Sequence, residues 1–429
     1  MIEKFIKRNI LEDLRRDLEK KEIALLIGPR QAGKTTLMKI LQGELEKKGE
    51  RTLFLSLDFE HDRQYFFSQQ SLIKKIELEI GKNGGFVFID EIQRKENAGI
   101  FLKGLYDLNL PYKFIVSGSG SVDLKAKVKE SMVGRKRVYE LYPISLIEFL
   151  NFKTDYKYEG NLADFLSLEK PKLDEVLLEY FNFGGYPRVI LETELRDKIR
   201  TIDEIYQGYI EKDITYLLKV KKTEAFSSLI KILADQTGKL INYSEISNTL
   251  GISVPALKNY LWYAEKTYIL QRITPFYRNL RSEISKSPTV YFSDTGLRNY
   301  SLGIFGQLTR PDDLGFVFQN QVFLVLKEKL RWSNAEIHYW RSKSGAEIDF
   351  VIELGRKVIP VEVKYKHFSQ AVIPRSYHRF TEKYAPEKCL VINKNLKTST
   401  KVKNSKVLFL TIWDLIGEEI FPGGGGEIS

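Results

Sequence analysis

Gly28-Pro29-Arg30-Gln31-Ala32-Gly33-Lys34-Thr35-Thr36 is the stretch on which the reading of this chain turns. It fits the spacing G-x-x-x-x-G-K-[ST]. The apolar run Ile23 to Ile27 precedes it and reads as a buried strand. Leu37, Ile40, Leu41 and Leu45 follow at helical spacing. Strand, glycine loop and helix is the context in which this motif cradles the phosphates of a nucleoside triphosphate. Gly28 and Gly33 let backbone N–H groups curl around phosphate oxygens. Lys34 is placed to reach the β- and γ-phosphates, and the Thr35 hydroxyl to ligate Mg²⁺. The helix N-terminus adds a partial positive charge. Pro29, Arg30, Gln31, Ala32 and Thr36 complete the expected nucleotide-binding run.

Working outward, 429 residues are too many for one ordinary domain, and 43% apolar residues suffice for several cores. The net charge of +11 favours a polyanionic partner. The single cysteine, Cys389, lies in an apolar run and reads as a buried strand residue, so no disulfide or thiolate metal site forms within the chain. That composition suits a reducing cytoplasm. The charged, amphipathic start is unlike a signal peptide, and no apolar run approaches membrane-spanning length. The four histidines are scattered without ligand spacing.

Residues 3–20 read as an amphipathic helix leading into the first strand. Further strands are expected at 52–58, 86–91 and 113–117. Near-continuous apolar strands separated by helices imply a parallel sheet covered on both faces, with ligands at the carboxyl ends of the strands. The phosphate loop, Asp58, Asp90, Glu91 and Ser117 all fall at those ends. Phe86-Val87-Phe88-Ile89-Asp90-Glu91 is a Walker B pattern. Asp90 is expected to hold Mg²⁺ through its water shell, and Glu91 to polarise the attacking water. Ser117 is a candidate to orient that water or sense the γ-phosphate.

These motifs, with Ser117-Gly118-Ser119, Gly134-Arg135, Leu141-Tyr142-Pro143-Ile144-Ser145, Glu148-Phe149 and Phe183-Gly184-Gly185-Tyr186-Pro187-Arg188, resemble a family of archaeal and bacterial AAA+-type ATPases. The likeness covers nearly the whole chain. It implies a multidomain α/β protein: an AAA+ parallel-sheet core (1–140), a helical lid (141–221), a winged helix (222–280), a nuclease-like α/β domain of the PD-(D/E)XK type (281–422) and a flexible tail (423–429). It also implies that arginines from a neighbouring subunit or from the lid complete the nucleotide site, with Arg135 and Arg188 as candidates. Pro187 can open a helix at its first turn and so aim Arg188 at the nucleotide. The assembly state stays open, with a homo-oligomer among the options that the resemblance implies. Asp213 reads as a structural ion-pair residue.

Within 222–280 the apolar spacing marks three helices, the third capped by Ser253, and then a strand near 268–273. That order is a winged helix, and Lys258, Lys266, Arg272, Arg278 and Arg281 are the candidate DNA contacts. In the last region Asp349 lies on one strand and Glu362-Val363-Lys364 on the next, across a turn at Leu354-Gly355-Arg356. Alternate residues share a face, so Glu362 and Lys364 point together, and Asp349 can meet Glu362 around a metal ion. Lys364 is then placed to orient water or stabilise developing charge. One departure stands out: where the resembling family has a glutamate followed by asparagine, this chain has Gln319-Asn320. A neutral amide cannot help to neutralise a divalent ion. Glu347 shares the face of Asp349 and is a partial substitute; Glu328, nine positions along the helix, points to the opposite face.

The expectation is an ATP- and Mg²⁺-dependent ATPase that acts on DNA. The alternatives are a nucleotide-switched regulator of a protein partner and an ATP-gated, metal-dependent endonuclease.

Overall fold

In a computed structural model the described residues are 5–119, 132–209, 223–277, 287–342 and 344–421. Arg278, Arg281, Asp213 and the tail lie outside them. The N-terminal sheet has five strands: β1 (Ile23–Gly28), β2 (Thr52–Ser56), β3 (Gly85–Asp90), β4 (Tyr112–Ser119) and β5 (Lys136–Glu140). They are ordered β2-β3-β4-β1-β5, and each pair is parallel. Alternation along β1 explains the two covered faces. Ala24 and Leu26 pack with Leu37, Met38 and Leu41 of the helix Lys34–Lys47, while Ile23, Leu25 and Ile27 pack with Leu102, Val87 and Val116. The N-terminal helix is shorter than its pattern suggests, running only Ile10–Arg16.

At the end of β1 the backbone after β5 closes tightly over the sheet. The Leu141 N–H donates to Ile27 O at 2.8 Å. A Cβ on Gly28 would lie 2.1 Å from Leu141 O, so only glycine fits there.

The described part of the segment expected as a lid is mostly helical but is not a self-contained unit. Leu146, Phe149, Leu150, Val176 and Phe181 share a core with the C-terminal domain, whereas Val189, Ile202, Ile205 and Tyr209 pack with the next helices. An amphipathic face is buried wherever complementary apolar surface lies, and here two neighbouring domains supply it.

Helices Thr223–Asp235, Tyr243–Leu250 and Val254–Lys266 are followed by a two-stranded antiparallel ribbon, β6 (Leu270–Ile273) and β7 (Thr289–Phe292). Ser253 caps the third helix, accepting from the Ala256 N–H. The second ribbon strand lies beyond the boundary expected at 280, because a long connection separates the pair.

The C-terminal sheet comprises β8 (Glu336–Arg341), β9 (Glu347–Leu354), β10 (Lys357–Val363), β11 (Lys388–Asn393), β12 (Thr398–Val402) and β13 (Ser405–Thr411), in the order β12-β13-β11-β10-β9-β8. β9 and β10 form the antiparallel hairpin read from the sequence, with Phe350 opposite Val361. The helix Pro311–Lys329 packs on it through Val322, Phe323 and Leu326. Cys389 is buried on β11, and burial pushes its thiol up to about 12.

Candidate functional site

The phosphate loop turns between β1 and its helix through left-handed residues, Gln31 (φ 58°) and Gly33 (φ 94°). Gly33 occupies the N-cap of the helix, which leaves the first-turn N–H groups aimed into the loop. Lys34 is buried, and its ammonium donates to Gly28 O at 3.1 Å and Pro29 O at 2.7 Å. Thr35 Oγ1 donates to Asp90 Oδ2 at 2.9 Å. The hydroxyl and the carboxylate thus converge from two elements, and this hard-oxygen pair fits a Mg²⁺ held by Thr35 directly and by Asp90 through water.

Asp90 ends β3 and is almost fully buried. Its other oxygen accepts from the Ser117 hydroxyl, which in turn accepts the Glu91 N–H at 3.2 Å. Ser117 is fully buried and hydrogen-bonds to both acidic residues. It is the sixth residue of eight in β4, the strand paired with β3.

Glu91 has a left-handed backbone (φ 59°), which swings its side chain out of the strand alternation toward Lys34. Burial raises its pKa, opposed by the Lys34 ammonium and by a hydrogen bond from the Gln93 amide. Gln93 donates to Glu91 Oε2 and accepts the Ser119 N–H at 3.1 Å. It links the candidate base to the end of β4. The sequence places it in the run Phe88 to Gln93 that carries the family resemblance, but assigns it no role.

The two candidate arginines separate. Arg188, in the helix opened by Pro187, donates to Gln31 Oε1 at 3.0 Å and pairs with Glu204 at 3.0 Å. It therefore stands at the phosphate loop of its own chain. Arg135 precedes β5 and accepts the Ile23 N–H at the start of β1, about 20 Å along the strand from the loop. There it pairs with Asp107 at 2.7 Å, so it does not reach its own chain's nucleotide site.

Arg8 was missed altogether. It is buried, donating to Ala32 O in the loop at 3.0 Å, to Tyr142 O at 2.6 Å and to Glu148 at 3.1 Å. Glu148 also caps its own helix with Ser145. The Ser145-x-x-Glu148 spacing was a visible capping box; its second use, anchoring Arg8 under the loop, was not.

Residues 20–150 match the family model of an AAA domain. The regions 174–308 and 314–413 match two models described as domains of unknown function, DUF8612 and DUF4143. Among relatives, an uncharacterized protein of Haemophilus influenzae is 25% identical, with 95% of this chain and 98% of that protein covered. An uncharacterized protein of Mycobacterium tuberculosis is 26% identical over 83% of this chain and 74% of its own. One of Methanocaldococcus jannaschii is 27% identical over 79% and 75%. A solved structure of the replication initiator DnaA bound to AMPPCP and single-stranded DNA is 18% identical, covering 61% of this chain and 90% of that one at a TM-score of 0.29, too low to carry weight. By its family match, the N-terminal region is similar to AAA domains.

The second candidate site is assembled as a hairpin but differs in detail. Asp349 Oδ1 accepts from Gln319 Nε2 at 2.9 Å, and Oδ2 accepts the Val363 N–H at 2.7 Å. Glu362 is buried and accepts from Ser376 Oγ at 2.7 Å and Lys364 Nζ at 3.3 Å. Burial and the neighbouring Glu362 push the Asp349 carboxyl well above the usual range. Burial disfavours the Lys364 charge, but Asp349 and Glu362 outweigh it and raise its pKa. Glu347 does not join them. It sits opposite Arg341 on β8 and pairs with it at 2.8 Å, an outward ion pair that face alternation alone does not reveal. No group of three or more His, Cys, Asp or Glu able to hold a metal occurs among the described residues. Two carboxyl groups converge at this second site, and the Gln319 amide stands where a third would.

Of the candidate DNA contacts, Lys258 is exposed and lies over the Tyr243 ring. Lys266 is half-buried at the end of the same helix. Arg272 is taken by Glu265, at 2.5 Å. No described helix is long and apolar enough to cross a membrane.

Proposed function

We infer that this protein binds ATP with Mg²⁺ at the phosphate loop, hydrolyses it, and uses the cycle to act on DNA. The observation that carries this reading is the convergence at the carboxyl ends of β1, β3 and β4 of Lys34, the Thr35–Asp90–Ser117 cluster and Glu91, with Arg188 reaching the loop from a separate helix. Lys34 and the loop N–H groups offset phosphate charge. Thr35 and Asp90 would hold a Mg²⁺, which would supply further charge neutralisation. Glu91, its pKa raised by burial, is suited to take the proton from water as the water oxygen bonds to the γ-phosphorus and the bond to ADP breaks. Arg188 can then stabilise the charge that develops.

Three helices followed by an antiparallel ribbon are the order of a winged helix, and the third helix offers Lys258, Asn259 and Trp262 to solvent. A physical link runs from this unit to the loop. Asp294, just after β7, accepts the Gly185 N–H at 2.6 Å, and Gly185 leads through Tyr186 into the Pro187–Arg188 helix. Movement of Arg188 with the nucleotide state would thus be felt at the ribbon. Arg135, remote from its own site, could serve a neighbour's in a homo-oligomer. The test is steady-state ATPase activity with and without duplex DNA at low salt. Stimulation that falls with salt and weakens in Lys258→Glu supports the reading; absence of both binding and stimulation overturns its DNA part. The Arg272–Glu265 pairing and the 37% exposed Trp262 favour a second reading, a nucleotide-switched docking module for a protein.

A further inference from the structure

We propose that the Asp349–Glu362–Lys364 cluster is a metal-free hydrogen-bonded junction, in which the Gln319 amide takes the place of a cation and ties the ribbon to the C-terminal sheet. Three elements meet at Gln319. Its Nε2 lies 2.9 Å from Asp349 Oδ1 on β9 and 3.1 Å from the Tyr291 hydroxyl on β7. Gly238, in the turn after the helix Thr223–Asp235, approaches so closely that a Cβ there would lie 2.8 Å from Gln319 Oε1. Asn320 fixes the same helix to β7 on both sides of Phe292, accepting its N–H at 2.7 Å and donating to its carbonyl at 2.8 Å.

The donor–acceptor balance favours this over an ion site. An amide nitrogen carries two hydrogens, which matches one carboxylate oxygen and one phenol oxygen. The second Asp349 oxygen is held by the Val363 N–H, and the Glu362 oxygens by Ser376 and Lys364. Every carboxylate oxygen of the cluster therefore has a protein donor. A divalent ion, which needs about six oxygen ligands, would have to break several of these bonds for two carboxylates and neutral groups. A glutamate at 319 would reverse the balance: it cannot donate to Asp349, and it would add the third carboxylate that an ion requires.

The test measures Mn²⁺ binding to the full-length protein by calorimetry without nucleotide, in the natural chain, Asp349→Asn, Gln319→Glu and the double variant. The natural chain should show no binding at millimolar Mn²⁺ that depends on Asp349. Gln319→Glu should melt on the order of 5 °C lower without metal, bind Mn²⁺ and recover with it, and lose that binding when Asp349→Asn is added. Mn²⁺ binding by the natural chain that Asp349→Asn abolishes would overturn the proposal, even if Gln319→Glu proves too unstable to study. So would a Gln319→Glu protein that neither loses stability nor gains metal. Both readouts are independent of ATP turnover, so they stand or fall apart from the ATPase reading.

Discussion

Replacing Arg188 by alanine separates a charge that serves the phosphates from one that merely decorates the surface. The side chains of Arg188 and Glu204 are 51% and 59% exposed, so their ion pair contributes at most about 1 kcal/mol to stability. The bond to Gln31 adds about another 1 kcal/mol at most. On a chain of this size the melting temperature should therefore fall by no more than about 2–4 °C. At the transition state the account differs sharply. Removing one preorganised donor from a site of developing charge typically costs about 10²–10³ in turnover, or about 3–4 kcal/mol. Steady-state ATP hydrolysis at saturating nucleotide, with Tm measured on the same preparations, compares the two effects. The expected pattern is a large loss of kcat, a small change in Tm and partial rescue by Arg188→Lys, which keeps the charge but not the planar fork. Turnover in Arg188→Ala within twofold of the natural protein would refute the reasoning, because Arg188 would then be only a surface partner of Glu204.

Other consequences follow from neighbouring residues. Glu91 must be ionised to accept a proton, and burial raises its pKa, so the acid limb of the kcat–pH profile should lie above the ordinary glutamate value of about 4.3. Gln93→Ala removes a hydrogen bond that lowers that pKa; the limb should move higher still and kcat fall about tenfold, with nucleotide affinity unchanged. Arg8→Ala leaves Glu148 buried without its cation and frees Ala32 O, so the protein should lose about 3–5 kcal/mol in chemical denaturation.

The parts of this molecule that follow from local chemistry were readable in its sequence. The parallel core, the loop, Asp90 and Glu91 each combine a steric requirement with an apolar strand, and both leave marks at fixed spacing. The β9–β10 hairpin was readable for the same reason, whereas the departure at Gln319 showed only against the resembling family's pattern. What escaped depends on long-range closure. Arg8 meets Glu148 across 140 positions, and Arg135 and Arg188 look alike until the fold places Arg188 at the phosphate loop and Arg135 at the far end of the sheet. Glu347 obeys the alternation rule yet turns outward, because Arg341 lies directly across the ladder. The expected lid divided between two cores because an amphipathic helix does not encode which partner will cover it.

The central claim is that the phosphate loop and Glu91 form one hydrolytic centre. It is tested most directly by measuring nucleotide binding and turnover together in the natural protein, Lys34→Ala and Glu91→Gln. The account predicts Mg²⁺-dependent ATP turnover in the natural protein, loss of binding in Lys34→Ala, and retained binding with turnover reduced at least about 10²-fold in Glu91→Gln. Undiminished hydrolysis in Glu91→Gln, or full nucleotide affinity in Lys34→Ala, would contradict it.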